Sequence, residues 1–157
     1  MLRNNVLSTI FQILLSIFWT LVLLLIGKNP SMEHFFYGNP LIPWILFLLI
    51  LGLFFVFGKF LFKDLDKKEI FLSTLLPALI GYLTIGIALA GSGNGIFHSE
   101  VGKNLAHMPM YLYLMPQLYG MEIVGISRTP FTIGIAPLIG SGMMLLSLWI
   151  SYWKANR

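Results

Sequence analysis

Four stretches of the chain are long and apolar enough to cross a lipid bilayer, and none of them contains an acid, a base or a histidine. They cover residues 6–26, 41–58, 70–90 and 131–153. About 20 apolar residues in an α-helix, with a rise of about 1.5 Å each, cross a hydrocarbon core about 30 Å thick. We therefore predict an all-α, polytopic membrane protein, in which four transmembrane helices form a bundle and a single domain over residues 1–157.

The composition agrees with this interpretation and excludes several classes of protein. Hydrophobic residues make up 57% of the chain and charged residues only 10%, whereas charged residues are about 25% of a soluble domain. The net charge is +4, but the basic residues flank the apolar stretches and form no patch for nucleic acid, so we expect none as a partner. The chain has no cysteine, which excludes disulfides, thiolate metal sites and a thiol nucleophile.

The positions of lysine and arginine predict the orientation. If the amino terminus is cytoplasmic, seven basic residues fall on the cytoplasmic side and three fall outside. The seven are Arg3, Lys59, Lys63, Lys67, Lys68, Lys154 and Arg157, and the three are Lys28, Lys103 and Arg128. Because positive residues concentrate on the cytoplasmic side, we expect both termini there, in a cell membrane that the composition suggests is a bacterial plasma membrane.

The polar residues of the first stretch share one face of the predicted helix. Thr9, Gln12, Ser16 and Thr20 recur at steps of three and four residues, which places them on one stripe. Since hydrogen bonds between helices stabilise such a stripe in lipid, we expect it to pack against the bundle, with the lining of a substrate path as the alternative. The second stretch is almost entirely Leu, Ile and Phe and is predicted to face lipid.

Glycine and proline interrupt the third and fourth stretches. Pro77 and Pro137 each fall about two turns into the predicted helix, where a proline removes a backbone hydrogen bond and produces a kink. Gly86 and Ala90 have the small-xxx-small spacing that lets two helices approach closely. Kinked packing accounts for these features, although paired interrupted spans also mark the binding sites of some transporters.

A connection of 40 residues, 91–130, joins the third and fourth stretches on the predicted outer side. Its middle part, 108–126, is rich in methionine and tyrosine and contains Pro109 and Pro116. Two prolines, Gln117 and Glu122 make a simple crossing costly, and a fifth span would move the carboxyl terminus away from the basic loop. We therefore predict a re-entrant or interface-lying segment over the outer mouth of the bundle.

The histidines lie in the predicted outer connections. His98, Glu100 and His107 have side chains of the types that bind a divalent cation such as zinc, so they are candidate metal ligands. Their spacing fits no stringent metal motif. We expect no bound cofactor, and an outer-face metal-dependent membrane enzyme stays as an alternative.

The absence of ionisable residues from the four stretches argues against a proton relay or an ion-coupled carrier, and no nucleotide-binding or nucleophile motif is present. We expect a protein that is not an enzyme: an accessory, sensor or immunity-type component that binds another membrane protein, a second copy, lipid or an apolar ligand. A small oligomeric transporter or permease subunit is the alternative. The candidate ligand or partner surface consists of Tyr82, Gly86, Met108, Tyr111, Tyr113, Met115, Tyr119, Gly140 and Ser141.

Overall fold

The computed structural model describes residues 2–61, 67–92 and 100–156, and every regular element in these ranges is a helix. The helices are α1 (Leu2–Lys28), α2 (Pro30–Gly38), α3 (Leu41–Leu61), α4 (Lys67–Leu72), α5 (Leu75–Ser92), α6 (Glu100–Ile123) and α7 (Pro130–Ala155). Four segments are long and apolar enough to cross a membrane, namely α1, α3, the α4–α5 segment Lys68–Gly91, and α7. The prediction of an all-α fold with four membrane-spanning helices is confirmed.

The third span consists of two helices because a side chain of α1 stabilises a break in it. Asn5 donates a hydrogen bond from Nδ2 to the carbonyl of Leu72, at 2.7 Å, and its Oδ1 accepts one from the backbone N–H of Leu76, at 2.9 Å. Pro77 therefore lies in the first turn of α5, where its missing N–H is harmless. Pro77 has no N–H for the carbonyl of Ser73, so the interruption lies where the sequence predicts a kink, and Pro137 lies inside α7.

Contacts between the helices define two ends of the bundle. At the first, which we call the Asn4 end, Asn4 donates from Nδ2 to the carbonyl of Leu61 at 3.0 Å, so that the start of α1 meets the last turn of α3. At the other, the Tyr37 end, the short helix α2 lies beside the last turns of α1 and α6. The last turns of α7 lie beside Phe71 of α4, so both termini of the chain are at the Asn4 end.

Helix α6 lies in the middle of the bundle, in contact with α1, α3, α5 and α7. From Tyr113 to Met121 every residue is buried except the half-buried Met115. Since α5 and α7 run in opposite directions, with Gly81 against Pro137, α5 ends and α7 begins at the Tyr37 end. The last turn of α6 also lies at the Tyr37 end, and the re-entrant or interface-lying arrangement of residues 108–126 stays a prediction.

Close approaches at glycine hold α3, α6 and α7 together. A Cβ on Gly58 of α3 would lie 2.6 Å from the carbonyl oxygen of Met144, and one on Gly140 of α7 would lie 2.8 Å from the ring of Phe54. The second span buries only 17% of its apolar window, against 28% to 39% for the other three. This span is therefore the most exposed of the four, as expected of a helix that faces lipid.

Candidate functional site

The nine residues of the predicted partner surface fall into two groups that do not share a surface. Five belong to the interior and pack among helices: Tyr113, Tyr119, Gly140 and Ser141 are buried, and Met115 is half-buried. The other four lie on the outside of α5 and α6, and all are exposed: Tyr82, Gly86, Met108 and Tyr111. The exposed group alone is placed to meet a partner.

A buried polar cluster joins α1 to α6 in the middle of the bundle. Gln12 donates from Nε2 to the carbonyl of Tyr113 at 2.6 Å and to Oε1 of Gln117 at 3.2 Å, and Gln117 returns a hydrogen bond to Oε1 of Gln12 at 2.9 Å. Ser16 also donates to the carbonyl of Tyr113, at 2.7 Å. The predicted packing role is confirmed for these two residues of α1, because their hydrogen bonds join it to another helix.

The prolines of α6 explain why this cluster forms where it does. Pro116 has no N–H for the carbonyl of Leu112, one residue before Tyr113, and its ring crowds that turn. In lipid, backbone groups near such a turn need partners from neighbouring helices. Gln12 and Ser16 of α1 supply such partners to the carbonyl of Tyr113. The hydroxyl of Tyr113 in turn donates to the carbonyl of Pro77 on α5, at 3.0 Å.

A cavity of about 500 Å³ opens at the Tyr37 end between α1, α2, α3 and α6, and we call it the Tyr37 cavity. Its lining residues are Leu23, Ile26, Gly27, Glu33, Tyr37, Pro43, Tyr119, Glu122 and Ile123. One part of the lining is apolar and consists of aliphatic side chains and a proline. The other part is polar and consists of the carboxylates of Glu33 and Glu122 and the phenols of Tyr37 and Tyr119. The hydroxyls of Tyr37 and Tyr119 lie 3.4 Å apart, in hydrogen-bond contact.

The indole ring of Trp19 packs against Tyr119, with their ring centroids 5.7 Å apart. Trp19 is 2% exposed, and among the described residues its Nε1 has no hydrogen-bond partner. This tryptophan therefore sits directly beside a wall of the Tyr37 cavity and is a natural spectroscopic probe of it.

The charges around the Tyr37 cavity are unevenly placed. Glu33 and Glu122 line it, whereas Lys28 is exposed and does not. Glu122 forms an ion pair through Oε2 with Arg128, whose guanidinium lies 5.5 Å from the centre of the Tyr111 ring. The polar groups that line the cavity are thus hydrogen-bond acceptors or hydroxyls, and one of its two carboxylates, Glu122, is also paired with Arg128 outside the lining.

The predicted metal ligands are only partly within the described residues. His98 and the side chain of Glu100 lie outside them. His107 is half-buried, stacks on Tyr111 with ring centroids 6.2 Å apart, and lines a separate cavity of about 460 Å³. Within the part of the chain that the structure describes, no three residues of the types His, Cys, Asp and Glu are grouped to hold a metal ion, so the metal site stays a prediction.

The buried glycines of α5 and α7 lie in close contact with side chains of neighbouring helices. A Cβ on Gly81 would meet the ring of Pro137 at 2.8 Å, and one on Gly140 would meet Phe54. Gly86 has open space around it and faces away from the bundle. The small residues of α5 and α7 therefore serve close packing where they are buried, which agrees with the interpretation as kinked packing.

The sequence contains one signal for the Tyr37 cavity. Glu33 and Tyr37 are four residues apart on α2, which begins with Asn29 as its cap and Pro30 in its first turn, so both side chains share one face. The opposite wall, on α6, could not be assigned without knowing that this helix enters the bundle.

Comparison of the chain with protein-family models, with curated proteins and with solved structures finds no match to any of them.

Proposed function

We propose that this chain is a membrane-embedded binding protein of the sensor or accessory type, without catalytic activity of its own. Its ligand is an amphiphile with a positively charged head group that donates hydrogen bonds, bound in the Tyr37 cavity. The observation that carries the proposal is the lining of that cavity, which places Glu33, Glu122 and two tyrosine hydroxyls next to aliphatic side chains in about 500 Å³.

The chemistry of the lining determines the class of ligand. Ionised carboxylates only accept hydrogen bonds, and phenols both accept and donate, so the head group that satisfies this cavity has to donate. A primary ammonium group does so three times and carries the opposite charge. The volume of the cavity falls in the range of about 300–1,000 Å³ that is usual for small-molecule sites. Leu23, Ile26 and Ile123 form an apolar wall that can contact the start of an alkyl chain.

Helix α6 supports a sensing role because it connects the cavity to the core. Tyr119 and Glu122 line the cavity, and Gln117, half a turn before Tyr119, is bonded to α1 in the middle of the bundle. A ligand that shifts the last turn of α6 therefore acts on the polar cluster as well. The exposed group on α5 and α6 is where we propose that a membrane partner or a second copy of the chain docks.

The lysine distribution supports a location in the bacterial plasma membrane with both termini in the cytoplasm. In that orientation the Tyr37 cavity opens on the outer side, where it meets ligands from outside the cell or from the outer leaflet. The carboxylates at its rim then lie at the membrane surface, where charged groups remain solvated.

Binding is measured in phosphatidylcholine nanodiscs. The protein carries Trp44→Phe, Trp149→Phe and Trp153→Phe, so that Trp19 is its only tryptophan. A long-chain primary alkylamine and an alkyl sulfate of equal chain length are titrated while the fluorescence of Trp19 is recorded. We expect saturable binding of the amine and none of the sulfate. Glu33→Gln and Glu122→Gln should each weaken amine binding about tenfold or more, because each removes a charge-assisted hydrogen bond.

Glu69→Gln is the matched control, because it removes the same charge from α4 at the Asn4 end. It should leave the affinity for the amine unchanged. Equal affinity for amine and sulfate would contradict the proposal, as would undiminished amine binding by the protein that carries both Glu33→Gln and Glu122→Gln.

A further inference from the structure

An apolar groove runs along the outside of α7 beside α4, at the end of the bundle opposite the Tyr37 cavity. It consists of two adjoining cavities, of about 410 and 230 Å³, that share Trp149 as a lining residue. We call it the Trp149 groove, and its lining residues are Ile70, Phe71, Gly142, Leu145, Leu146, Trp149, Ile150, Trp153 and Lys154.

The groove follows from the sequence of α7. Gly142, Leu146, Trp149 and Trp153 are three or four residues apart and lie on one face of the helix. Gly142 is exposed, with nothing within 4 Å of the place a Cβ would take, so the groove is deep there. Large side chains bound it on both sides, since Trp149 is 44% exposed on α7 and Phe71 is 67% exposed on α4.

Basic side chains lie at the Asn4 end of the groove. Lys154 lines the groove next to Trp153. Lys68 is exposed on α4 and stands three residues before Phe71, so these two side chains share a face of that helix. An apolar channel that leads to the ammonium group of Lys154, with Lys68 placed by its spacing on the same side of α4 as Phe71, is complementary to a molecule with a hydrocarbon chain and an anionic head.

We infer that the Trp149 groove binds one acyl chain of an anionic phospholipid, whose phosphate is held by Lys154 and Lys68. From Gly142 to Lys154 the helix rises about 18 Å, which matches one leaflet of a hydrocarbon core about 30 Å thick. Basic pockets beside transmembrane helices bind anionic head groups in this manner. This lipid site is separate from the Tyr37 cavity, and its test has a different readout.

The test uses a protein with Trp149 as its only tryptophan, in phosphatidylcholine nanodiscs that contain an equal, minor fraction of either brominated phosphatidylglycerol or brominated phosphatidylcholine. Bromine quenches only a tryptophan that it contacts. We expect brominated phosphatidylglycerol to quench Trp149 at a lower fraction than brominated phosphatidylcholine, with about a fivefold preference for each lysine. Lys154→Gln and Lys68→Gln should each reduce the preference by that factor.

Two variants separate this site from the general attraction of basic residues for anionic lipid. Lys59→Gln removes an exposed lysine from α3 at the same end of the bundle and should leave the preference intact. Gly142→Leu places a side chain in the groove at a position where the Cβ has nothing within 4 Å, and it should lower quenching by both lipids.

Any of the following outcomes would overturn the inference. The first is equal quenching of Trp149 by the two lipids. The second is a preference that survives the combined loss of Lys154 and Lys68, or full quenching in the Gly142→Leu protein. The third is protection of Trp149 from both brominated lipids, which would show that another copy of the chain covers the groove.

Discussion

Gln12 and Gln117 exchange hydrogen bonds through their side-chain amides, so that α1 and α6 are joined by a reciprocal pair in the middle of the bundle. Both side chains are buried, at 2% and 3% exposure. An amide that loses its partner in such surroundings has no water to replace it. The pair is therefore the point at which the fold is most sensitive to a polar-to-apolar substitution.

Replacing Gln117 by Met should reduce the free energy of unfolding by about 1–2 kcal/mol, because the Gln12 amide loses both of its hydrogen bonds to Gln117 and keeps only the one to the carbonyl of Tyr113 on α6. Reversible unfolding in bicelles measures this change. The protein with both Gln12→Met and Gln117→Met should lose less than the sum of the single effects, by about 0.5 kcal/mol or more. Thr20→Val is the control and should have little effect, since this hydroxyl bonds only to the backbone of its own helix. Strictly additive effects would show that the pair is not coupled.

Gly58→Ala should destabilise the bundle by about 1–3 kcal/mol, because its Cβ would meet the backbone of Met144 and force α3 away from α7. Gly52, on the same helix, has nothing within 4 Å of its Cβ position. Gly52→Ala should therefore be neutral, or stabilising by up to about 1 kcal/mol through helix propensity. Unfolding of the two variants under identical conditions tests the contrast. Equal free energies for the two variants would mean that the α3–α7 contact is misplaced.

Asn5→Leu should loosen the start of α5, since the carbonyl of Leu72 and the N–H of Leu76 both lose a hydrogen bond. Each unsatisfied group costs about 1–3 kcal/mol. A local loss of about 2 kcal/mol would accelerate amide hydrogen exchange at Leu76 about 30-fold, which mass spectrometry of peptides from this region detects. Ser8→Ala removes a hydroxyl bonded within α1 and should leave that exchange unchanged. Unchanged exchange in the Asn5→Leu protein would contradict the assigned role.

Single cysteines, in a chain that has none of its own, report the topology. In intact bacterial cells, Ser31→Cys and Ser127→Cys should react with an impermeant maleimide, whereas Lys59→Cys and Asn156→Cys should react only after the membrane is opened. The reason is that α3 and α7 both finish at the Asn4 end of the bundle, whereas Ser31 and Ser127 lie at the Tyr37 end. Labelling of Asn156→Cys in intact cells, with Lys59→Cys protected, would show instead that α6 crosses the membrane.

Hydropathy predicted the spans well because a bilayer favours long, uninterrupted apolar helices, and hydropathy measures this apolarity directly. The second span begins at residue 41 in the prediction and at Leu41 in the structure, and the polar stripe with Gln12 and Ser16 does join another helix. These features depend on short-range periodicity, which a sequence displays directly.

The features that the sequence did not predict depend on residues far apart in the chain. The break before Pro77 is stabilised by Asn5, about 70 residues earlier, and nothing near Pro77 indicates this partner. The depth of α6 was likewise hidden, because Pro116 and Gln117 appear costly in lipid until partners on α1 satisfy the groups they disturb. The Tyr37 cavity was missed for the same reason, since its walls come from four helices.

The amide pair has a consequence for the biogenesis of the protein. Gln12 leaves the ribosome about 100 residues before its partners Tyr113 and Gln117, and at about 5–20 residues per second this interval lasts about 5–20 s. During that time the first segment has entered the bilayer with its amide still unmatched. Closure of the fold is thus a late event, and nascent chains that stop before α6 carry an exposed polar stripe that membrane quality-control proteases are equipped to recognise.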